Sequence, residues 1–410
     1  MKIGLLHYSG PPTVGGVEQT LAFHAHHLAS LGHEATLLVG SGAPFEQGIE
    51  VKVLPRLHSR HPDVMAVKQE LDRGLVSKSY RSLTDRIRQD LAEAGRPLDV
   101  LIVHNALSLH KNLPLTSALW NLQQAGAWRR MIGWHHDLAW TRPEYSAELH
   151  PGEPWELLRR PCPGVVQVTV SEAERRQLAE LMALPLEAIT VIPPGVDPAG
   201  FGRWSTRTRQ LCADLGLDRA DLILLFAARV TRRKNIEMAI GITAALKAEG
   251  AADVRLLVTG PPGPHNPANR AYLDELMAQA SGLSVSGQVH FLGAGDSPPL
   301  DDQTVAELFS LADALLFTSR AEGFGIPILE AGLARLPVFC TDIPPFRESG
   351  QGDVTYLSPD ATPVDAAAVI LRTLQADPAH RLRRRVLGEF TWLKLVRERL
   401  PPLLADVPDA

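Results

Sequence analysis

Short runs of apolar residues recur along the chain, and between them the apolar positions fall back to helical spacing. The first run, "IGLLH" at 3–7, is followed by Leu21, Ala25, Leu28 and Leu31 on one stripe. That spacing predicts a helix from about Gly16 to Leu31. Gly32 comes next, the residue type that often ends a helix. The runs continue with "EATLLV" (34–39), "VKVL" (51–54), "DVLIVH" (99–104), "MIGWHH" (131–136) and "VVQVTVS" (165–171). They are apolar without strict alternation, as strands covered on both faces require. Strands alternating with helices predict a parallel sheet.

The pattern restarts after "AITVIPPGVDPAGF" (188–201), a short strand running into a turn rich in proline and glycine. Such a turn suits a domain boundary. A second series follows: "DLILLFAARV" (221–230), "VRLLVTG" (254–260), "VHFLG" (289–293), "ALLFTS" (314–319) and "PVFCTD" (337–342), with helices expected at 235–248 and 303–311 among others. The expected organisation is α/β, with two doubly wound parallel-sheet domains at 1–190 and 191–385. A C-terminal segment, 386–410, can pack back on the first domain, and from 389 it is read as a helix up to Pro401. Ligands of such sheets sit beyond the carboxyl ends of the strands. Two such sheets facing each other would make an interdomain cleft suited to a site.

Composition narrows the function. A chain of 410 residues is too long for one ordinary core. Apolar content of 45% and charged content of 21% read as soluble and globular. A net charge of -5, with no basic and aromatic patch, speaks against a nucleic-acid partner. Cys162, Cys212 and Cys340 are far apart and make neither a metal-ligand pair nor a disulfide framework. "MKIGLLHYSG" reads as a first strand rather than a signal peptide, and no apolar run reaches the ~18 residues of a membrane span. The expectation is cytoplasmic, with peripheral attachment at the inner membrane face as the alternative. His24, His26 and His27 are expected on a solvated helix face, without acidic partners that would make a metal site.

The chemistry concentrates in the second domain. After "ALLFTS" comes "RAEGFGIPILEAG", in which Glu322 and Glu330 have seven residues between them. Gly323 and Gly325 let a ligand approach the backbone. Pro327 suits the first helical position. The first-turn N–H groups, chiefly those of Ile328 and Leu329, are then expected to form an anion site suited to phosphate. Glu330 beside a phosphate would repel it, so a ribose diol is its expected partner, and Glu322 suits a second sugar. The plain alternative is a helix cap with solvated acids. "AARVTRRKNIEMAI" (227–240) adds Arg229 at a strand end and Lys234 at the next helix. A guanidinium fork and a mobile ammonium suit a diphosphate leaving group. Arg232 and Arg233 are read as solvated.

These residues resemble family 4 glycosyltransferases, retaining enzymes with the GT-B fold of two facing Rossmann-like domains. The resemblance spans nearly the whole chain, through "GGVEQ" (15–19), "VSEAERRQL" (170–178), "VIPPGVD" (191–197), "AARVTRRKN" and "AEGFGIPILEAGLARLPVFCTD" (321–342). It implies that Arg229 and Lys234 grip the donor diphosphate. Glu322 and the amides of Gly323, Phe324 and Gly325 would hold the transferred sugar, and Glu330 the ribose. Gly15 and Gly16 would let the first loop approach the phosphates and the acceptor. In "GWHHDL" (133–138), His136 fits the place of a histidine that touches the donor sugar better than His135 does, with a paired structural histidine as the alternative. Pro194 and Ala228 stand where the family commonly has Asn and Gly. The proline-rich loop "TGPPGPHNPANRAYLDEL" (259–276) is longer than usual and is assigned either to the base pocket or to a subunit contact.

The implied activity is transfer of a hexose from a nucleotide diphosphate sugar, of GDP-mannose or UDP-glucose type, to an acceptor hydroxyl, with no metal and no cofactor. The acceptor is a small soluble sugar or polyol acid. A membrane lipid or cell-surface glycan precursor is the alternative, resting on the basic segment "KSYRSLTDRIRQDL" (78–91), whose Leu83, Ile87 and Leu91 would face lipid. A nucleotide-sugar epimerase and a non-catalytic nucleotide-sugar-binding protein are readings of other classes. A dinucleotide dehydrogenase is disfavoured, because "YSGPPTVGG" lacks G-x-G-x-x-G.

Overall fold

The computed structural model describes residues 1–251, 253–263, 268–294 and 299–405. The chain divides into two compact units. The first comprises Met1–Val196 and the chain from Glu389 onward, and the second is Asp197–Gly388.

In the first unit, β1 (Lys2–His7), β2 (Glu34–Val39), β3 (Glu50–Val53), β4 (Val100–His104), β5 (Arg130–His135), β6 (Val165–Thr169) and β7 (Ile189–Val191) form one sheet in the order β3-β2-β1-β4-β5-β6-β7. Every pairing is parallel. The order reverses between β1 and β4, so the ligand position of such a sheet lies beyond the carboxyl ends of these two strands. Alternate residues serve the two faces. Val100 and Ile102 join a cluster with Leu21, Ala25 and Leu28 of the helix Gly16–Ser30. Leu101 and Val103 join another with Leu83, Ile87 and Leu91 of the helix Lys78–Ala94.

The second unit repeats the scheme. Its strands are β8 (Leu222–Phe226), β9 (Val254–Val258), β10 (Val289–Phe291), β11 (Ala314–Phe317), β12 (Val338–Thr341) and β13 (Thr355–Leu357), in the order β10-β9-β8-β11-β12-β13. All pairings are again parallel, and the reversal falls between β8 and β11. Each unit is therefore a Rossmann-like doubly wound sheet.

Several details depart from the sequence expectations. β13 was not anticipated; of its three residues only Leu357 is fully buried, and so short an edge strand carries no readable period. Leu31 lies past the end of the first helix and is exposed, because the chain turns there into Gly32 at φ +84°. His24 is not solvated but fully buried, three residues after Leu21 and thus on the same stripe. The helix read from 389 to Pro401 is interrupted. Pro378–Glu389 ends where it was to begin, Thr391 is extended and bridges to Val196, and a new helix runs Trp392–Arg399, followed by Pro401–Leu404.

The last segment completes the first unit. Leu395, Val396, Leu400, Leu403 and Leu404 lie in the cluster that also holds Ile3, Leu5 and Leu21. Trp392 stacks on Phe23 at 5.5 Å and meets His24 edge-on at 5.3 Å. Gly195 of "VIPPGVD" is needed here, because an added Cβ would lie 2.7 Å from the Trp392 ring.

All three cysteines are buried and unpaired, and burial pushes each thiol up to about 12. The folded protein should therefore consume almost no thiol reagent at pH 8 in a spectrophotometric titration, and release all three thiols in denaturant. Rapid labelling of even one in the native state would contradict this packing.

Candidate functional site

In the second unit the turn after β8 and the loop after β11 are stitched together. A short 3-10 turn, Arg232–Lys234, precedes the helix Ile236–Ala248. Asn235 closes that turn at φ +51°, a left-handed conformation that asparagine tolerates. The Arg320 amide donates to the Arg233 carbonyl at 2.8 Å, and the Thr318 hydroxyl donates to the Asn235 carbonyl at 2.8 Å.

This brings Lys234 and Glu322 into contact across 88 positions of sequence. The Lys234 ammonium donates to Glu322 Oε1, which also accepts from Ser319 Oγ at 2.7 Å. Arg233 Nη1 donates to Glu322 Oε2 at 2.7 Å and to the Ala321 carbonyl at 3.0 Å. Arg233 is thus bound to the site rather than merely solvated, unlike the sequence reading. Arg232 turns away to Glu275, at 2.7 Å, and over the Tyr272 ring. The side chains of Lys234 and Glu322 are 10% and 7% exposed, so this is a buried ion pair. Burial pushes the Glu322 carboxyl up, but its hydrogen bonds to Lys234, Ser319 and Arg233 outweigh that and hold it below the usual carboxylate range.

Arg229, by contrast, is exposed, and its guanidinium has no ion-pair partner among the described residues. Its backbone is crowded from below, since a Cβ on Gly260 would come within 2.5 Å of Arg229 Cα. Arg229, Arg233, Lys234 and Arg320 therefore lie on these two loops, besides Arg232 turned to Glu275, with Glu322 as the one carboxylate on them, and the excess charge suits an anionic ligand.

The helix after the glycine loop runs Ile326–Leu333, so Pro327 is its second residue rather than its first. Gly325 precedes it at φ +102°, and an added Cβ would meet the Phe346 ring at 2.9 Å, so only glycine fits. At Gly323 an added Cβ meets nothing, and the fold itself makes no demand for glycine there. The Ile328 amide is already committed, donating to the Gly325 carbonyl at 2.9 Å, which removes it from the expected anion site. Phe324, Leu329 and Glu330 are exposed. In the loop 259–276, residues 264–267 lie outside the described residues.

In the first unit, the carboxyl ends of β1, β4 and β5 gather His7, His104, His135 and His136. His7 Nδ1 donates to the His104 carbonyl at 3.1 Å. His136 is partly buried, its Nε2 lies 3.0 Å from His104 Nδ1, and its amide donates to Asn105 Oδ1 at 2.8 Å. His135 points into the core and pairs with Gln167 at 2.7 Å. Burial brings His24 and His136 down to about 3 and His135 to about 4, and holds His104 well below the usual histidine range, so all four are neutral.

Glu18 is a site-level feature that the sequence reading passed over within "GGVEQ". It folds back to accept from Ser9 Oγ at 2.6 Å and lies 4.0 Å from His7 Nε2. An added Cβ on Gly15 would strike this carboxylate at 2.1 Å, whereas one on Gly16 would meet nothing. Gly15 thus makes room for Glu18, and Gly16 is the glycine that the fold leaves open.

Among the described residues no group of three or more His, Cys, Asp and Glu side chains gathers as a metal site, and no helix is long and apolar enough to cross a membrane. The basic helix Lys78–Ala94 has spent its apolar face: Leu83, Ile87 and Leu91 are fully buried, and Arg86 and Asp90 pair with Asp63 and Arg56. It has no such face left for lipid, which corrects the basis of the membrane expectation.

The family model for glycosyltransferase family 4 matches residues 14–199, and that for glycosyl transferases group 1 matches residues 209–386. The chain belongs to glycosyltransferase family 4. Its similarity to named relatives is moderate. It is 31% identical over 230 residues to a D-inositol 3-phosphate glycosyltransferase of Kineococcus radiotolerans, a match covering 52% of this chain and half of that relative's own length. It is 25% identical to a mannosylglucosylglycerate synthase of Petrotoga mobilis, over 85% of this chain and 84% of that one. A sucrose-phosphate synthase structure from Thermosynechococcus elongatus aligns over 98% of both chains at 17% identity and a TM-score of 0.39, too distant to bear on function.

Proposed function

We propose that this family 4 member is a retaining glycosyltransferase moving a hexose from a nucleotide diphosphate sugar to the hydroxyl of a small soluble sugar or polyol acid. The observation that carries the reading is the junction of Lys234, Arg233 and Glu322 beside the exposed Arg229 at the β8/β11 reversal. The second unit holds the donor. Arg229 and Lys234 take the diphosphate, Glu322 and the Gly323–Gly325 backbone take the sugar, and Glu330 takes the ribose. The first unit takes the acceptor, with Gly16 open to it and His136 as its candidate for a sugar contact. The relatives named for inositol phosphate and mannosylglucosylglycerate favour a polyol or sugar-acid acceptor over a lipid.

In the reaction, the bond from the anomeric carbon to the diphosphate oxygen breaks and a bond to the acceptor oxygen forms on the same face. The acceptor proton passes to the leaving diphosphate oxygen. Negative charge grows on the diphosphate as the bond breaks, and preset cations stabilise that state more than the donor ground state. Neutralisation is assigned to Arg229 and Lys234, and neither a metal nor a cofactor is invoked.

The test is a panel of nucleotide diphosphate sugars and polyol acceptors, read by nucleotide diphosphate release and by proton NMR of the early product. The expected product keeps the donor's anomeric configuration. An inverted product would end the retaining reading. Binding without release of diphosphate from any donor would favour the non-catalytic alternative.

A further inference from the structure

His104 closes β4 and is fully buried, directly behind His136. Their rings stack at 5.3 Å with planes 28° apart, and one hydrogen bond of 3.0 Å joins His104 Nδ1 to His136 Nε2. Both backbones are also held, the His104 carbonyl by His7 and the His136 amide by Asn105. We propose that His104 is a positioning residue that fixes His136 as the Nδ1–H tautomer, so that His136 offers its ligand a hydrogen-bond donor.

Two neutral imidazoles share a single proton across that contact, and there are two ways to place it. If His136 Nε2 donates, the one proton of His104 must sit on its own Nε2. That atom is buried and has no hydrogen-bond partner among the described residues. The ring beside it, His24 at 5.4 Å, also has both nitrogens buried and unpartnered. An orphaned buried N–H is rarer and more costly than an under-used lone pair. If His104 Nδ1 donates instead, its ring carries no orphaned N–H, and His136 Nε2 is consumed as the acceptor. The proton of His136 then lies on Nδ1. The hydrogen bond made by one ring nitrogen decides what the other presents.

His136 in this form donates and does not accept, so it selects an oxygen lone pair, such as that of a sugar hydroxyl or a phosphate. The ligand contact rests on the glycosyl-transfer reading, and the tautomer does not. The experiment is a two-bond proton–nitrogen correlation spectrum of the full chain labelled with nitrogen-15 histidine, with His136 assigned through His136→Gln. The expected pattern is Nδ1–H for His136, against the Nε2–H form that free histidine prefers. In His104→Phe the resonance should revert to Nε2–H, and kcat/KM for the donor should fall roughly tenfold, about the worth of one hydrogen bond.

An Nε2–H signal for His136 in the wild type overturns the inference, whatever the activity, and this arm does not depend on the His104 variant. An unchanged Nδ1–H signal in His104→Phe overturns it as well, and so does a switched tautomer with unchanged turnover. A wild type that shows Nδ1–H and yet transfers no sugar supports the tautomer and removes the transfer reading alone.

Discussion

Glu322→Ala should destabilise the second unit more than Lys234→Ala, while Lys234→Ala should be among the most damaging changes to turnover. The two expectations differ because the pair is unequally supported. Without Glu322, the Lys234 ammonium is left buried with no carboxylate, and Arg233 loses its carboxylate too and keeps only the Ala321 carbonyl. Breaking a buried pair in this way typically costs about 3–5 kcal/mol. Without Lys234, Glu322 still accepts from Arg233 and Ser319, so the loss of stability should be clearly smaller. For turnover, removing one preset donor to a developing charge costs roughly a hundredfold to a thousandfold in kcat. Arg229→Ala should show a similar kinetic loss with little change in stability, since that guanidinium is exposed and has no ion-pair partner among the described residues. Arg232→Ala is the control, because its pairing with Glu275 has both ends more than half exposed; such surface pairs contribute about 0–1 kcal/mol. Urea unfolding by circular dichroism and steady-state release of nucleotide diphosphate measure the two effects. Equal stability losses would contradict the hydrogen-bond arrangement, and normal turnover in Lys234→Ala would place the leaving group elsewhere.

Mild acid should unfold the first unit before the second. His24, His135 and His136 have folded pKa values of about 3, 4 and 3, mainly because burial penalises the charged ring. In the unfolded chain they titrate near 6.5. A depressed folded pKa gives stability that is fully present above the unfolded value and lost as pH falls towards the folded one. The window therefore opens near pH 6.5 and extends to about pH 4. Three imidazoles each binding one proton on unfolding give a slope of up to about 4 kcal/mol per pH unit. Glu148 adds to the loss at lower pH. Burial opposes its charge, but Lys68 and His110 hold its carboxyl down at about 2. Among its described residues the second unit has fewer such groups, chiefly His290, which burial lowers to about 4, and His380. Of the seven tryptophans only Trp204 belongs to the second unit, so tryptophan fluorescence follows the first unit. Its melting temperature should fall steeply from pH 6.5 to 4.5 while circular dichroism retains a later transition. His24→Leu should flatten that fall, because it removes an unpartnered buried ring. A fluorescence transition independent of pH across this window would contradict the buried histidines.

The architecture was legible because β1, β4, β8 and β11 are buried on both faces and read as unbroken apolar runs. The site was legible only in part. Arg229, Lys234, Glu322, Gly323 and Gly325 lie in the loops that follow β8 and β11, where residue type and position both carry information. Arg233 was misread because its role follows from the 3-10 turn, which sends adjacent side chains to different partners; nothing in "TRRKN" distinguishes Arg233 from Arg232. His24 was readable, since i+3 from Leu21 is a core position, but its neighbours His26 and His27 do reach solvent, and residue type alone does not separate the three. Glu18 acts through contacts between the end of β1 and the next helix, and His104 through contacts between separate strands, and no local period reports either. The Ile328 amide was assigned to a ligand because the tight turn closed by Gly325 at positive φ has no unambiguous sequence signal.

The crossing between the two units happens twice, at Val196 and again after Gly388, and the two passages are hydrogen-bonded to each other. The Val196 amide donates to the Phe390 carbonyl at 2.7 Å, and the Trp392 amide donates to the Val196 carbonyl at 3.1 Å. The second unit is therefore contiguous in sequence and the first is not. On a ribosome, domains fold as units while the chain emerges, so Asp197–Gly388 can be complete while the first unit still waits for Trp392, Leu395, Val396, Leu400, Leu403 and Leu404. Until those arrive, one face of its sheet exposes the patch around Phe23 and His24 that Trp392 later covers. The part of the protein that is synthesised first is thus the part that matures last, and a nascent chain halted short of residue 392 would present its oldest segment, rather than its newest, to chaperones and proteases.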